Sequence, residues 1–385
     1  MQFNRLPPGA AHDGSRILHP TSPDAAWGTD GVAHLRVLAR APRAAGSAEE
    51  RQARDYCARV LGDLGFEVSR EPFSYSGFPG RYGTPIGGAI AAASVLVTFW
   101  LATIEGVPLA AAIVFGAGLL LLVLFVWIMV GDAVLDLPWL RADGENLVAR
   151  RGHAAPRVWL VAHVDSKSQP VPTRVRIAGI AVLGASVVLT ALTLAAGSSR
   201  TILWMLCAAL AAVGGRAVVA SVVRNDSPGA VDNASGVAAV LAAASSLDPA
   251  APVAVLITSA EELGLAGARA WVRAHVAERA FVMNCDGVDD IGELTLMYTR
   301  TNPAPIVSAV ERVAGAVRVL RMPPGLLLDS VAFADVKWSA ATLSHGSMQT
   351  LARVHTRRDT LDALTGTQID PMAFVLARAA ETLAR

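Results

Sequence analysis

The chain has 385 residues, of which 53% are hydrophobic and only 17% charged. A soluble enzyme of this length normally carries more charge, so part of the chain is expected to leave water. The net charge is +1, from 33 basic and 32 acidic residues, and no basic stripe points to nucleic acid. Cys57, Cys207 and Cys285 do not make a disulfide framework.

Residues 1–30 are rich in Pro, Gly, Ala and Asp and read as a loose arm. Helical patterning starts near Gly31 and resumes after Ser47, an N-cap with Glu50 three residues on, then stops at Gly65. FEVSREPFSY alternates like a strand. Two apolar runs follow, Ile86–Ile104 and Pro108–Val130, separated by a short loop around Glu105–Val107. ENLVARR and RVWLVAHVDS read as strands. A second apolar pair, Ile177–Ala196 and Thr201–Val223, turns around Gly197–Arg200. Beyond it Asp232 opens a helical run, APVAVLITSAEE reads as a strand entering the helix GLAGARAWVRAHV, and RAFVMNCD as another strand. The C-terminal stretch reads as a helix from Pro303, a strand near Ala340–Leu343, a turn at His355 and a helix from Asp370. Strands alternating with helices predict an α/β fold with a mostly parallel central sheet.

A transmembrane helix needs roughly 20 apolar residues, and all four runs meet that length. Burial of the four inside one soluble core is the alternative. Four such runs in two close pairs fit a core poorly, so two transmembrane hairpins, 86–130 and 177–223, are expected within one domain formed by 31–85, 131–176 and 224–385. Excising the second hairpin leaves, between Asp165 and Asp232, a length that a strand-to-helix connection with a functional loop can have. The N-terminus has no basic-then-apolar pattern, so the first span is expected to direct insertion. Arg81, Arg141, Lys167, Arg174, Arg176 and Arg224 flank the spans on the domain side, against Arg200 in the opposite loops. That bias predicts an integral membrane protein of a bacterial plasma membrane with its domain in the cytoplasm.

Seven motif residues carry chemistry, and alone each also has a bland reading. His163 and Asp165 in AHVDS alternate across one residue, so on a strand they share a face. A carboxylate beside a metal-binding imidazole would orient it. Asp232 could equally be a helix N-cap, and Glu261–Glu262 a solvated helix start. Asp286 could cap a turn, and His355 could lie at the surface. Taken together, two imidazoles and several carboxylates at the ends of β-like runs are the ligand set of a two-zinc hydrolase. In an acidic pair, one carboxylate can bind metal while the other takes a proton from water. Cys285, beside Asp286, is a candidate third ligand but reads rather as a small core residue. His345, ten residues before His355, could touch substrate, and reads rather as a structural or surface histidine.

The order AHVDS, VDNASG, AEELGLAG, NCDG, VHTRRDT resembles the signature of the di-zinc aminopeptidases of metallopeptidase family 28, which also contains glutamate carboxypeptidases. APRAAGSAEERQARDYCARVLGDLGFEV is similar to that family's first helices. The resemblance spans about residues 30–385 apart from the hairpins. It implies a three-layer αβα zinc-exopeptidase-like domain and two Zn2+ ions, one held by His163 and Asp286, the other by Glu262 and His355, with Asp232 between them. It implies Glu261 as general base and Asp165 as the group that orients His163. It further implies an aminopeptidase acting on peptide substrates. The hairpins depart from the soluble members and leave a membrane-proximal amide open as substrate. An amidohydrolase or glutaminyl cyclase on the same fold, and a non-catalytic membrane scaffold, are the alternatives; the full ligand set favours the two-metal enzyme.

Overall fold

The computed structural model describes residues 30–323 and 325–385. The N-terminal arm therefore lies almost wholly outside the described residues. In chain order, α1 (Gly31–Leu38) and α2 (Ala48–Asp63) precede β1 (Glu67–Ser76). The long helices α3 (Phe78–Thr103) and α4 (Pro108–Met129) come next, then the short α5 (Ala133–Asp136), β2 (Arg141–Arg150) and β3 (Val158–His163). The second long pair is α6 (Thr173–Ala195) and α7 (Thr201–Val219). It is followed by α8 (Gly236–Ser246), β4 (Val253–Thr258), α9 (Ala266–His275), β5 (Phe281–Val288) and β6 (Glu293–Tyr298). The chain closes with α10 (Ala304–Ala314), β7 (Arg318–Arg321), α11 (Ser330–Asp335), β8 (Ser339–Gly346), α12 (Thr350–Arg353) and α13 (Ile369–Ala384).

The strands form one sheet in the order β1-β2-β4-β3-β5-β8-β6-β7. The central four, β4-β3-β5-β8, are parallel, while β1 and β2 run antiparallel on one side and β6 runs antiparallel to β8 on the other. Strand β3 is buried along its whole length, as expected for a strand covered on both faces. Its alternate residues separate into two cores. Val158, Leu160 and Ala162 pack with α1, α2, α8, α10 and α13, whereas Trp159 and Val161 pack with Trp271 of α9 and Phe333 of α11. The domain is thus three-layered, helix–sheet–helix, as expected.

Each of the four long helices is long and apolar enough to cross a membrane. Their outer faces are bare: Leu109 is 75% exposed, Trp127 74% and Ile202 70%. Patches this large on a monomer mark contact with lipid or another protein. Helix α3 packs on α4 and on α7, and α6 on α7, so the two hairpins form one bundle. Small residues allow the close approach: a Cβ on Gly214 would lie 2.7 Å from the Leu183 nitrogen, and one on Gly88 2.5 Å from Val218 Cγ1.

Helix α3 begins at Phe78, upstream of the apolar run. Its first turns carry Pro79 at the N-terminal end, where a missing N–H costs nothing. Those turns rest on protein. A Cβ on Gly80 would lie 2.4 Å from Leu263 Cα, so helix backbone touches the backbone of the Glu261–Leu263 turn.

Candidate metal centre

Three adjacent parallel strands present the site at their C-terminal ends, where open α/β sheets place their ligands. His163 is the last residue of β3, flanked by β4 and β5. Glu261 and Glu262 form a tight 3-10 turn just beyond β4. Asp286 lies near the end of β5. Asp232 sits in the distorted turn Ala230–Ser235 ahead of α8, with non-helical backbone angles at Asp232 and Asn233, and it caps no helix. His355 follows α12 in a left-handed conformation, with φ of 64°.

These residues converge into two groups of ligand atoms, His163–Glu261–Asp286 and Asp232–Glu262–His355. Asp232 spans the two, with Oδ1 3.3 Å from His163 Nε2 and Oδ2 2.7 Å from His355 Nε2. His163 Nε2 is also 3.6 Å from Asp286 Oδ2, and His355 Nε2 is 3.3 Å from Glu262 Oε1. Glu261 Oε2 stands 4.0 Å from His163 Nε2. The solvated and surface readings of Glu261, Glu262 and His355 do not hold, because all three side chains are largely enclosed.

The donor set fits divalent metal. Two ligands about 2.1 Å from a tetrahedral zinc lie about 3.4 Å apart, close to the separations between His163 and Asp232, His163 and Asp286, and His355 and Glu262. His163 Nε2 and Glu262 Oε1 are buried and make no hydrogen bond, the condition expected of atoms meant for an ion. The second nitrogen of each ring is anchored. His163 Nδ1 is 3.1 Å from the Asp165 carbonyl oxygen, and His355 Nδ1 is 3.1 Å from Thr173 Oγ1.

Asp165 differs from the expectation of a shared strand face. Strand β3 ends at His163, so Asp165 lies in the loop beyond. Its Oδ1 is 3.6 Å from His163 Nδ1, and the nearer contact to that nitrogen is its carbonyl. The carboxylate instead accepts from the backbone amides of Glu261 at 3.1 Å and Glu262 at 3.2 Å. One buried side chain thereby ties the His163 loop to the acidic turn.

Charge in the cluster is strongly interdependent. Burial opposes ionisation of His163, but Glu261 and Asp286 outweigh it and raise its pKa well above the ordinary imidazole value. Burial raises Glu261 well above the ordinary carboxylate range, against the opposing pull of His163. For Asp232, burial is outweighed by His355 and His163, and its pKa falls well below the ordinary value. Glu262 falls to about 2 because Lys167 and His355 overcome its burial.

Several further residues take part. Lys167 Nζ lies 2.5 Å from Glu262 Oε2. Asp359 accepts from the amides of Val231 at 2.8 Å and Asp232 at 3.1 Å, which fixes the Asp232 turn. Asp329, fully buried, accepts from Thr258 Oγ1 at 2.5 Å below the acidic turn. Burial pushes its pKa up to about 7. Arg43 is buried and donates to the carbonyls of Leu38, Val164, Pro228 and Gly229, so it joins the loops that carry Asp165 and Asp232. Arg43→Leu leaves those carbonyls without donors and should cost about 3 kcal/mol, read as a lowered unfolding midpoint. An unchanged midpoint would remove Arg43 from the framework of the site. Cys285 is buried, and His345 is buried with Nδ1 2.7 Å from the Asp289 carbonyl, as expected of core groups.

Among curated proteins, none matches the chain. Solved structures share its fold at low identity. An aminopeptidase from Aneurinibacillus sp. strain AM-1 matches with 16% identity and a TM-score of 0.54, over 92% of this chain and 93% of that one. A zinc aminopeptidase from Bacillus subtilis matches with 15% identity and a TM-score of 0.52, over 91% and 93%. A glutaminyl cyclase from Fimbriiglobus ruber matches with 13% identity and a TM-score of 0.51, over 97% and 99%. The sequence profile of Peptidase family M28 matches residues 146–380 and so takes in His163 through His355; the chain belongs to that family.

Proposed function

We propose that the protein is a membrane-anchored zinc aminopeptidase that removes N-terminal residues from peptides. The observation that carries the reading is Asp232, whose two oxygens face one histidine each, 3.3 Å from His163 and 2.7 Å from His355. A bridging carboxylate between two imidazole–carboxylate groups suits a pair of ions. His163 and Asp286 would hold one zinc, Glu262 and His355 the other, and Asp232 both. When bound, such a pair lowers the pKa of water and polarises a scissile carbonyl.

The remaining work falls to this chain's own groups. Glu261, which stands beside His163 in the first of the two groups, takes the proton from the attacking water and returns it to the leaving amine. Asp165 keeps Glu261 and Glu262 at their angle by holding both amides. The four apolar helices anchor the domain, and the basic residues at their domain-side ends favour a cytoplasmic active site. Alkaline carbonate should leave the chain in the membrane pellet; release into the supernatant would contradict the anchor.

Metal content tests the site. The purified protein should hold two zinc ions per chain, and His163→Ala and His355→Ala about one each. A wild type with no metal would overturn the reading. A cyclase is the second reading, raised by the likeness to the Fimbriiglobus enzyme. A peptide beginning with glutamine separates them: the peptidase releases free glutamine, while a cyclase releases ammonia and leaves a pyroglutamyl peptide.

A further inference from the structure

A small cavity opens beside the cluster, with Glu262 and Asp165 in its wall. Its volume is about 70 Å³, against about 30 Å³ per water in the liquid, which is room for a compact group. Three cations line it: Arg81, Lys167 and Arg224. Lys167 is held by Glu262, 2.5 Å away. Among the described residues, the guanidinium groups of Arg81 and Arg224 have no acidic partner. The two acids in the wall are engaged elsewhere, Asp165 by the amides of Glu261 and Glu262, and Glu262 by Lys167 and His355. Two cations are therefore left unmatched beside the reacting centre.

Their origin matters. Arg81 follows Gly80 in the first turns of α3, at the point where that helix touches the acidic turn. Arg224 lies just past α7, and its backbone pairs with Ser168 in the loop beyond β3. Arg81 thus comes with the first membrane helix, and Arg224 stands where the chain re-enters the domain after the second hairpin. Arg224 also lines a larger outer cavity of about 430 Å³ with Arg357 and Arg358. The acid there, Asp226, already pairs with Arg357 at 3.1 Å. Arg224 thus borders two cavities, and the larger one is also lined by cations.

We infer that the small cavity seats a compact anion of the substrate, a carboxylate or phosphate near the scissile amide, held by Arg81, Arg224 and Lys167. Planar guanidinium forks match such groups in bidentate fashion. The inference rests on the amide-hydrolase reading of the neighbouring cluster. It makes α3, through Arg81, a determinant of specificity as well as an anchor. The anion has two sources: an acidic residue of a peptide, or the phosphate of a lipid-linked amide at the bilayer surface.

The test uses the full chain in detergent at low salt. Peptides that differ only by Asp against Asn in the first or second residue form one arm. N-acyl phosphatidylethanolamine against the matching N-acyl ethanolamine forms the other. In one arm the charged substrate should have kcat/KM at least about tenfold higher. The Arg81→Gln/Arg224→Gln double variant should bring that ratio close to one, and the two lysine replacements should restore part of it. A ratio measured on one preparation is insensitive to the fraction misfolded. The responding arm identifies the source. Equal rates in both arms, with amides still cleaved, overturn the inference and leave the hydrolase reading standing. If no amide is cleaved, the hydrolase reading fails, and inorganic phosphate decides the subsite by calorimetric titration. Binding that the double variant loses supports the cavity; no binding, or binding the variant keeps, overturns it.

Discussion

Glu261→Gln should lower kcat by about 10³-fold while the protein still folds and keeps its zinc, because a general base contributes roughly 10²–10⁴. Glutamine preserves shape and removes only the group that accepts the proton. The neighbouring Glu262→Gln should behave differently. Glu262 Oε1 sits 3.3 Å from His355 Nε2, and Oε2 is paired with Lys167, so its loss should reduce zinc content and leave Lys167 without a partner. Measuring kcat and metal content on both variants separates two adjacent carboxylates into a proton carrier and a ligand. If Glu261→Gln retained kcat within a factor of ten, proton transfer would have to run through another group.

Gly80→Ala should cost about a hundredfold in kcat/KM, although Gly80 is no part of the metal cluster. A Cβ there would meet Leu263 Cα at 2.4 Å, its carbonyl carbon at 2.6 Å and its oxygen at 2.7 Å. Backbone cannot swing aside like a side chain, so either α3 or the Glu261–Leu263 turn must shift. A displacement of about 1 Å at a reacting centre is enough for a loss of that size. Gly83→Ala is the control: it lies three residues along the same helix, where a Cβ meets nothing within 4 Å. Equal kcat/KM for the two variants would mean that α3 anchors the domain without positioning its chemistry.

The residues that meet in the cluster were legible because metal chemistry accepts few residue types. Imidazoles and carboxylates at the ends of β-like runs are conspicuous against a chain so poor in charge. The three-layer core was legible as well, since β3 and β4 are short, continuous apolar runs followed by helical patterning. Groups that act through backbone left no such trace. Arg43 binds carbonyls and Asp359 binds amides; both lie within quoted stretches, but nothing in those stretches marks them as backbone partners. Gly80 looks like a loop residue in GFPGRYG, and only its contact with Leu263 gives it a role. Strand β7 escaped for another reason. Strand β7 is exposed along its four residues, so it lacks the apolar alternation that marks a half-buried strand. The role of Asp165 was legible only in part: its place beside His163 is plain in the motif, but its grip on two amides comes from the fold.

The most direct measurement is release of the first residue from matched free and N-acetylated peptides by the purified chain, with and without a chelator. The account predicts cleavage of the free peptides only, lost on chelation and restored by zinc. Cleavage that persists in chelator after metal content has fallen to zero, or acetylated peptides cut as fast as free ones, would contradict it.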